Sequence, residues 1–185
     1  IDIDDIKSGP TAGDKTYLNQ NEVQLLYKYY FSDFISDNKK IALGYFLFSC
    51  FTGLRFSDLQ NQERSKLKRG YFYFTHVKTK KPQNMQLNKK ALAIVEQCPE
   101  LFTKHYSNNH TRNLVQETCK FLEIDKKVDY HTSRHTFGTN CILMGIPVAK
   151  LKILMNHSDL KETQVYMHLA ELEKNAKADL LDNMF

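Results

Sequence analysis

His131-Thr132-Ser133-Arg134-His135-Thr136-Phe137 is the stretch from which the rest of the chain is best read. A helix is predicted to start near Thr132 and to stop at Gly145, with Phe137, Cys141 and Met144 turned to a core. His131 and Arg134 stand three residues apart at its start, a spacing that aims an imidazole and a guanidinium at one point. A helix N-terminus there would also favour an anion. Taken alone, the pair reads equally well as a capping histidine and a solvated arginine. His131 and His135 repeat the four-residue spacing of zinc proteases. Thr132 occupies the place of the glutamate that such a site requires, so no metal is expected.

Toward the C-terminus, Pro147 is placed to start a helix reaching about Met155. His157-Ser158 breaks the pattern, and Asp159-x-x-Glu162 can cap a short helix carrying Tyr166. Most tyrosines in such a turn are packing residues, and the chain has ten. Only the surrounding pattern can single one out. The tail 169–185, with Leu172, Ala176, Leu180 and Leu181 as its apolar positions, could pack on this domain or on a neighbouring protomer.

Toward the N-terminus, residues 111–123 and 89–97 read as helices, with Ser107-Asn108-Asn109 in a loop before the first of these. Tyr71–Phe74 and Asn84–Leu87 read as strands of an antiparallel hairpin with a basic turn at Lys78–Lys81. A largely apolar helix is predicted over about Lys40–Phe51 and is broken by Gly53, with a short polar helix at Arg55–Gln60. Gly53 allows a sharp turn that sets Arg55 at the top of a packed helix. Asp58 lies three residues on, on the same side, where it can orient Arg55 or stand as an exposed carboxylate. Asn19-x-x-Glu22 resembles a capping box opening a helix to about Phe34, with Val23, Leu26, Tyr30 and Phe34 at helical spacing. Residues 1–17 are polar and broken by Gly9-Pro10 and Gly13, as in a linker. The chain starts without methionine, as a fragment of something longer would.

Composition sets the broad class. With 185 residues and 42% hydrophobic content, the chain can bury one core, and a mostly α fold with a small antiparallel sheet follows from the pattern. The net charge of +5 suits a polyanionic partner such as nucleic acid, although many soluble proteins carry as much. None of the four cysteines forms a C-x-x-C pair, so they read as reduced structural residues of a cytosolic protein. The longest apolar run, Ile41–Phe51, is too short to span a bilayer, so no membrane partner is expected.

One ordered set of motifs carries a resemblance. Thr52-Gly53-Leu54-Arg55, His131-x-x-Arg134, Gly145-Ile146, Asn156-His157-Ser158 and Thr163-x-x-Tyr166 occur in sequence, with the spacing of the phage-integrase family of tyrosine recombinases. The resemblance covers residues 17–168. It implies an α+β catalytic domain over 18–168, Tyr166 as nucleophile, and Arg55, Arg134, His131 and His157 as its partners. It also implies Lys78, in Val77-Lys78-Thr79, as a lysine on the hairpin turn. Asn156 stands where the family usually has glycine, which implies a slightly different backbone.

The implied reaction suits these residue types. Two arginines can hold the non-bridging oxygens of a phosphodiester as charge builds in the transition state, with His157 as a third donor. A free phenol has a pKa of about 10 and needs activation. Nearby guanidinium charge and a base, for which His131 is best placed, would supply it. Lys78 could protonate the leaving 5′ oxygen. The phosphotyrosyl link conserves the bond energy, so no cofactor is expected. DNA would be tracked by Lys66, Lys68 and Arg69 and by Lys80 and Lys81. The resemblance further implies other protomers as partners, in a tetramer on DNA, and integration or excision of a mobile element. A type IB topoisomerase-like enzyme, a DNA-binding module without catalysis and a metal-dependent nuclease are the competing readings.

Overall fold

The computed structural model describes residues 15–182 except 61, 78–79 and 158, and for 176–182 the backbone alone. The expectation at Lys78 therefore lies outside the described residues.

The helix α2 (Asp37–Thr52) is the centre of the fold. Every residue from Ile41 to Cys50 is buried, so the helix has no wet face over that stretch. It is packed round by α1 (Gln20–Tyr30), α4 (Lys89–Gln97), α5 (Asn108–Phe121) and α6 (Tyr130–Leu143). Full burial of each large apolar side chain is worth about 1.5–3 kcal/mol, so α2 supplies much of the stability. The α1 capping box forms as read: Asn19 Oδ1 accepts from the Glu22 N–H, and Glu22 Oε2 accepts from the Asn19 N–H.

A three-stranded antiparallel sheet follows the short α3 (Phe56–Gln60) and a single 3-10 turn at Arg64–Lys66. Its order is β1 (Leu67–Lys68), β2 (Tyr71–Thr75), β3 (Pro82–Gln86). Phe72 and Phe74 point inward and Tyr71 and Tyr73 outward, the alternation a half-buried strand requires. Phe72 meets the rings of Phe48 and Phe102, which fixes the sheet on α2.

At the far side α6 packs on α8 (Lys161–Asp182), with α7 (Val148–Leu154) against both. A second, smaller apolar cluster of Cys141, Leu151, Met155 and Tyr166 lies between these three helices. All four cysteines are buried and unpaired. No helix among the described residues is long and apolar enough to cross a membrane.

The mostly α architecture with a small sheet agrees with the sequence, and several boundaries move. The first helix ends at Tyr30, so Phe34 falls beyond it and is 89% exposed, while Ile35 enters the core instead. Met144, expected inside, is 62% exposed because α6 has already ended at Leu143. Ser107 caps α5 through the His110 N–H, which brings Asn108 and Asn109 into the helix. A third strand, β1, runs through the basic segment at 66–69. The short helix and tail expected after 160 are one helix, since no glycine or proline interrupts 161–182; Leu172 on it is exposed.

Candidate active site

The site begins at the end of α2. Gly53 takes φ +71, and its N–H bonds Ser49 O to close the helix. A Cβ at Gly53 would lie 2.5 Å from Phe137 Cδ1, so glycine serves both the turn and the close approach of α6. Ser49 Oγ donates to Leu54 O, and Ser133 Oγ donates to Ser49 Oγ at 2.8 Å. The Gly53–Arg55 segment is thus tied directly to the first turn of α6.

That turn is capped by Asp129, whose carboxylate accepts from the Thr132 N–H at 2.8 Å. Arg134 follows and is buried. Its Nη1 donates to Gly53 O, and its Nη2 donates to Met155 O at 2.7 Å. One guanidinium therefore joins the end of α2 to the end of α7. Burial and the neighbouring Arg55 charge lower its pKa to about 10, which leaves it protonated at neutral pH. Arg55 is one-quarter exposed; its Nη1 is buried without a hydrogen-bond partner among the described residues, and its Nη2 lies 3.8 Å from Glu162 Oε2.

His157 follows Asn156, whose φ of +50 keeps the left-handed conformation that glycine takes freely and asparagine tolerates. His157 Nδ1 lies 2.8 Å from Thr163 Oγ1. If the hydroxyl donates, the ring proton sits on Nε2 and faces the pocket. Burial and the Arg134 charge lower the His157 pKa to about 4, so the ring is neutral near pH 7.

Tyr166 is 3% exposed. Its ring stacks on His157 at 5.9 Å and tilts against His135 at 5.6 Å. Gly138 of α6 lies beneath it, where a Cβ would come within 2.7 Å of the ring. Burial raises the phenol pKa, and the charges of Arg134 and Arg55 pull it back.

Arg55, His131, Arg134, His157 and Tyr166 line one open pocket of about 420 Å³. Five of the six side chains expected to act together are therefore gathered. They hold different depths: Arg134, His157 and Tyr166 are buried, whereas His131 is exposed at the rim, 6.4 Å from the His135 ring.

Asp58 departs from expectation. It is fully buried, and its carboxylate turns to the hairpin, not to the Arg55 guanidinium. Oδ2 lies 2.9 Å from His76 Nδ1, and Oδ1 accepts from the Val77 N–H at 2.9 Å. The reason is the sheet, which brings the end of β2 over α3. Asp58 thus anchors the base of the turn that carries position 78. Lys66, Lys68, Arg69, Lys80 and Lys81 are all exposed on or beside the sheet. Lys66 and Lys80 line a common hollow there, apart from the Tyr166 pocket.

Three features escaped the sequence. His135 and Glu162 line the pocket; each stands four residues from an expected site residue, on the same helix face. A basic groove of about 1130 Å³ adjoins the pocket, with Lys15, Arg112, Lys120, Lys126 and Lys127 along it. Arg112 and Lys120 stand eight residues apart on α5, which was the available signal. Among the described residues, no group of three or more His, Cys, Asp or Glu side chains is placed to share a metal ion.

The same architecture occurs in known proteins. The XerH site-specific recombinase, in a structure bound to a palindromic difH substrate, superposes with a TM-score of 0.72 at 15% identity, over 94% of this chain and 56% of that one. The catalytic domain of bacteriophage HP1 integrase gives 0.63 at 21% identity, over 92% of this chain and 98% of that domain. A tyrosine recombinase of Thermosipho africanus is 26% identical over 136 residues, 67% of this chain and 48% of that protein. The chain spans about half the length, or less, of the relatives it matches. The model of the phage integrase family matches residues 16–173. With the family's pattern running through most of the chain, this protein belongs to the phage integrase family.

Proposed function

We propose that this chain is the catalytic domain of a site-specific DNA recombinase that cuts and rejoins DNA through Tyr166. The observation that carries the reading is the pocket in which two arginines and three histidines stand with Tyr166 of α8.

Arg55 and Arg134 hold the two non-bridging oxygens of the scissile phosphate, and His157 donates from Nε2. Their charge counts most where charge develops, on the five-coordinate phosphorus. Tyr166 Oη attacks phosphorus after giving up its proton, and His131 at the rim takes that proton. The bond from phosphorus to the 5′ oxygen breaks as the new bond forms, and Lys78 protonates the leaving oxygen. Rejoining reverses these steps: a 5′ hydroxyl attacks the 3′-phosphotyrosine and Tyr166 is released. Because burial keeps the phenol protonated in the free protein, the nucleophile is activated only when phosphate and base are both in place.

Lys66, Lys68, Arg69, Lys80 and Lys81 meet phosphates beside the cut, so affinity falls with salt. Integration or excision of a mobile element, by a tetramer on DNA, is the finer form of the reading. The likeness to a phage integrase supports it.

The test is covalent trapping. Wild-type protein and Tyr166→Phe are incubated with a nicked suicide duplex carrying the element's end, in the presence of EDTA. A protein–DNA band that survives SDS is expected from the wild type only. A band from both proteins would put the nucleophile elsewhere. Strand cleavage that leaves no covalent band and occurs only when EDTA is omitted would favour a metal-dependent nuclease, and neither band nor cleavage would favour a non-catalytic DNA-binding module.

A further inference from the structure

We propose that Glu162 is an internal stand-in for the scissile phosphate, which holds the anion seat of the pocket in the DNA-free protein and lowers its affinity for DNA. The proposal rests on the reading of that pocket as a phosphodiester site.

Glu162 lies on the first turn of α8, four residues before Tyr166 and so on the same helix face. Its Oε2 is 3.8 Å from Arg55 Nη2 and 3.8 Å from His157 Nε2. These two donors, on separate elements, are two of the three that the reaction assigns to the phosphate. A carboxylate resembles a phosphodiester in what it offers them: one negative charge and two acceptor oxygens.

Neither donor is tightly engaged by the carboxylate: a charge-assisted hydrogen bond is about 2.7–2.9 Å long, and the Glu162 contacts with Arg55 and His157 both exceed that. Among the described residues Arg55 Nη1 has no hydrogen-bond partner, so the guanidinium has a donor that the carboxylate does not use and a second phosphate oxygen would. Glu162 is 36% exposed. An incoming phosphate therefore gains more from this site than Glu162 does, but must first displace it. Left in place beside the phosphate, the carboxylate would repel it. The cost of displacement falls on every DNA, and only a duplex held firmly by other contacts offsets it.

The test is a double-mutant cycle on DNA affinity, measured by anisotropy with a short labelled duplex of arbitrary sequence at low salt. All proteins carry Tyr166→Phe, so that no cleavage intervenes. Glu162→Gln is expected to bind about two- to fivefold more tightly than its parent, the scale of a partly exposed ion pair. The same change made on Arg55→Ala should give a clearly smaller gain, because the arginine contact is already broken and only the one to His157 remains. An equal gain in both backgrounds would mean simple removal of negative charge, and would overturn the proposal. So would unchanged or weaker binding with Arg55 present, which would make Glu162 a support for the arginine. Glu162→Thr should behave as Glu162→Gln does, and thermal melting of each variant shows that it is folded. If covalent trapping succeeds with wild-type protein while the cycle shows no coupling, this inference alone fails. If no variant binds duplex, the phosphodiester reading fails with it.

Discussion

A methyl group added at Gly138 would lie 2.7 Å from Cδ1 and Cγ of the Tyr166 ring, closer than unbonded carbons approach. The ring rests on backbone, with His157 and His135 beside it. Gly138→Ala must therefore displace the phenol. Overpacking of this kind costs about 1–3 kcal/mol, and a misplacement of about 1 Å can cost a hundredfold in rate. We expect the yield of covalent complex to fall by about tenfold to a hundredfold while circular dichroism still reports a helical fold. An unchanged yield would mean that the ring leaves this position before it attacks. Burial of Tyr166 was not legible in the sequence: the motif marks the residue but not its depth.

At the scale of elements, the hairpin is held to the helices through Asp58. A buried carboxylate joins α3 to His76 and to the Val77 N–H at the end of β2. Asp58→Asn keeps one oxygen but replaces the other with an amide donor, and leaves the His76 ring without its acceptor. The expected loss is about 1–3 kcal/mol of stability, with faster amide exchange concentrated between 76 and 81. Cleavage should fall as well, because the turn that carries position 78 is released. Uniformly faster exchange through the whole domain would show that Asp58 is only a core residue. The sequence placed Asp58 one turn from Arg55, where it could orient that arginine or stand as an exposed carboxylate, and the structure buries it. The sheet supplied its partner.

Across the whole molecule, folding brings two histidines into a positively charged site, with His157 buried and His135 half-buried. His135 and His157 both have pKa values lowered to about 4, chiefly by burial, and then by His131 and Arg134 respectively. An unfolded histidine takes up its proton near pH 6.5. Between these values the unfolded state binds more protons, so the stability is fully present above about pH 6.5 and is lost as pH falls toward 4. The melting temperature should drop by about 5 °C or more between pH 7 and pH 5, and His135→Gln should shrink that drop. A melting temperature that does not change over this range, or a drop unaffected by the substitution, would contradict the account.

The sequence by itself determined the helical pattern, the Asn19–Glu22 box, the break at Gly53 and the order of motifs from Arg55 to Tyr166. Each depends on residues within a turn or two of one another, where periodicity, capping and backbone sterics act directly. Only the tertiary structure decided that Arg134 bonds the carbonyls of Gly53 and Met155, that Asp58 serves the hairpin, and that Glu162 faces Arg55. These contacts join elements far apart in the chain. Their partners are set by how helices cross and how deeply each face is buried, and several of the acceptors are backbone carbonyls that every residue type carries alike.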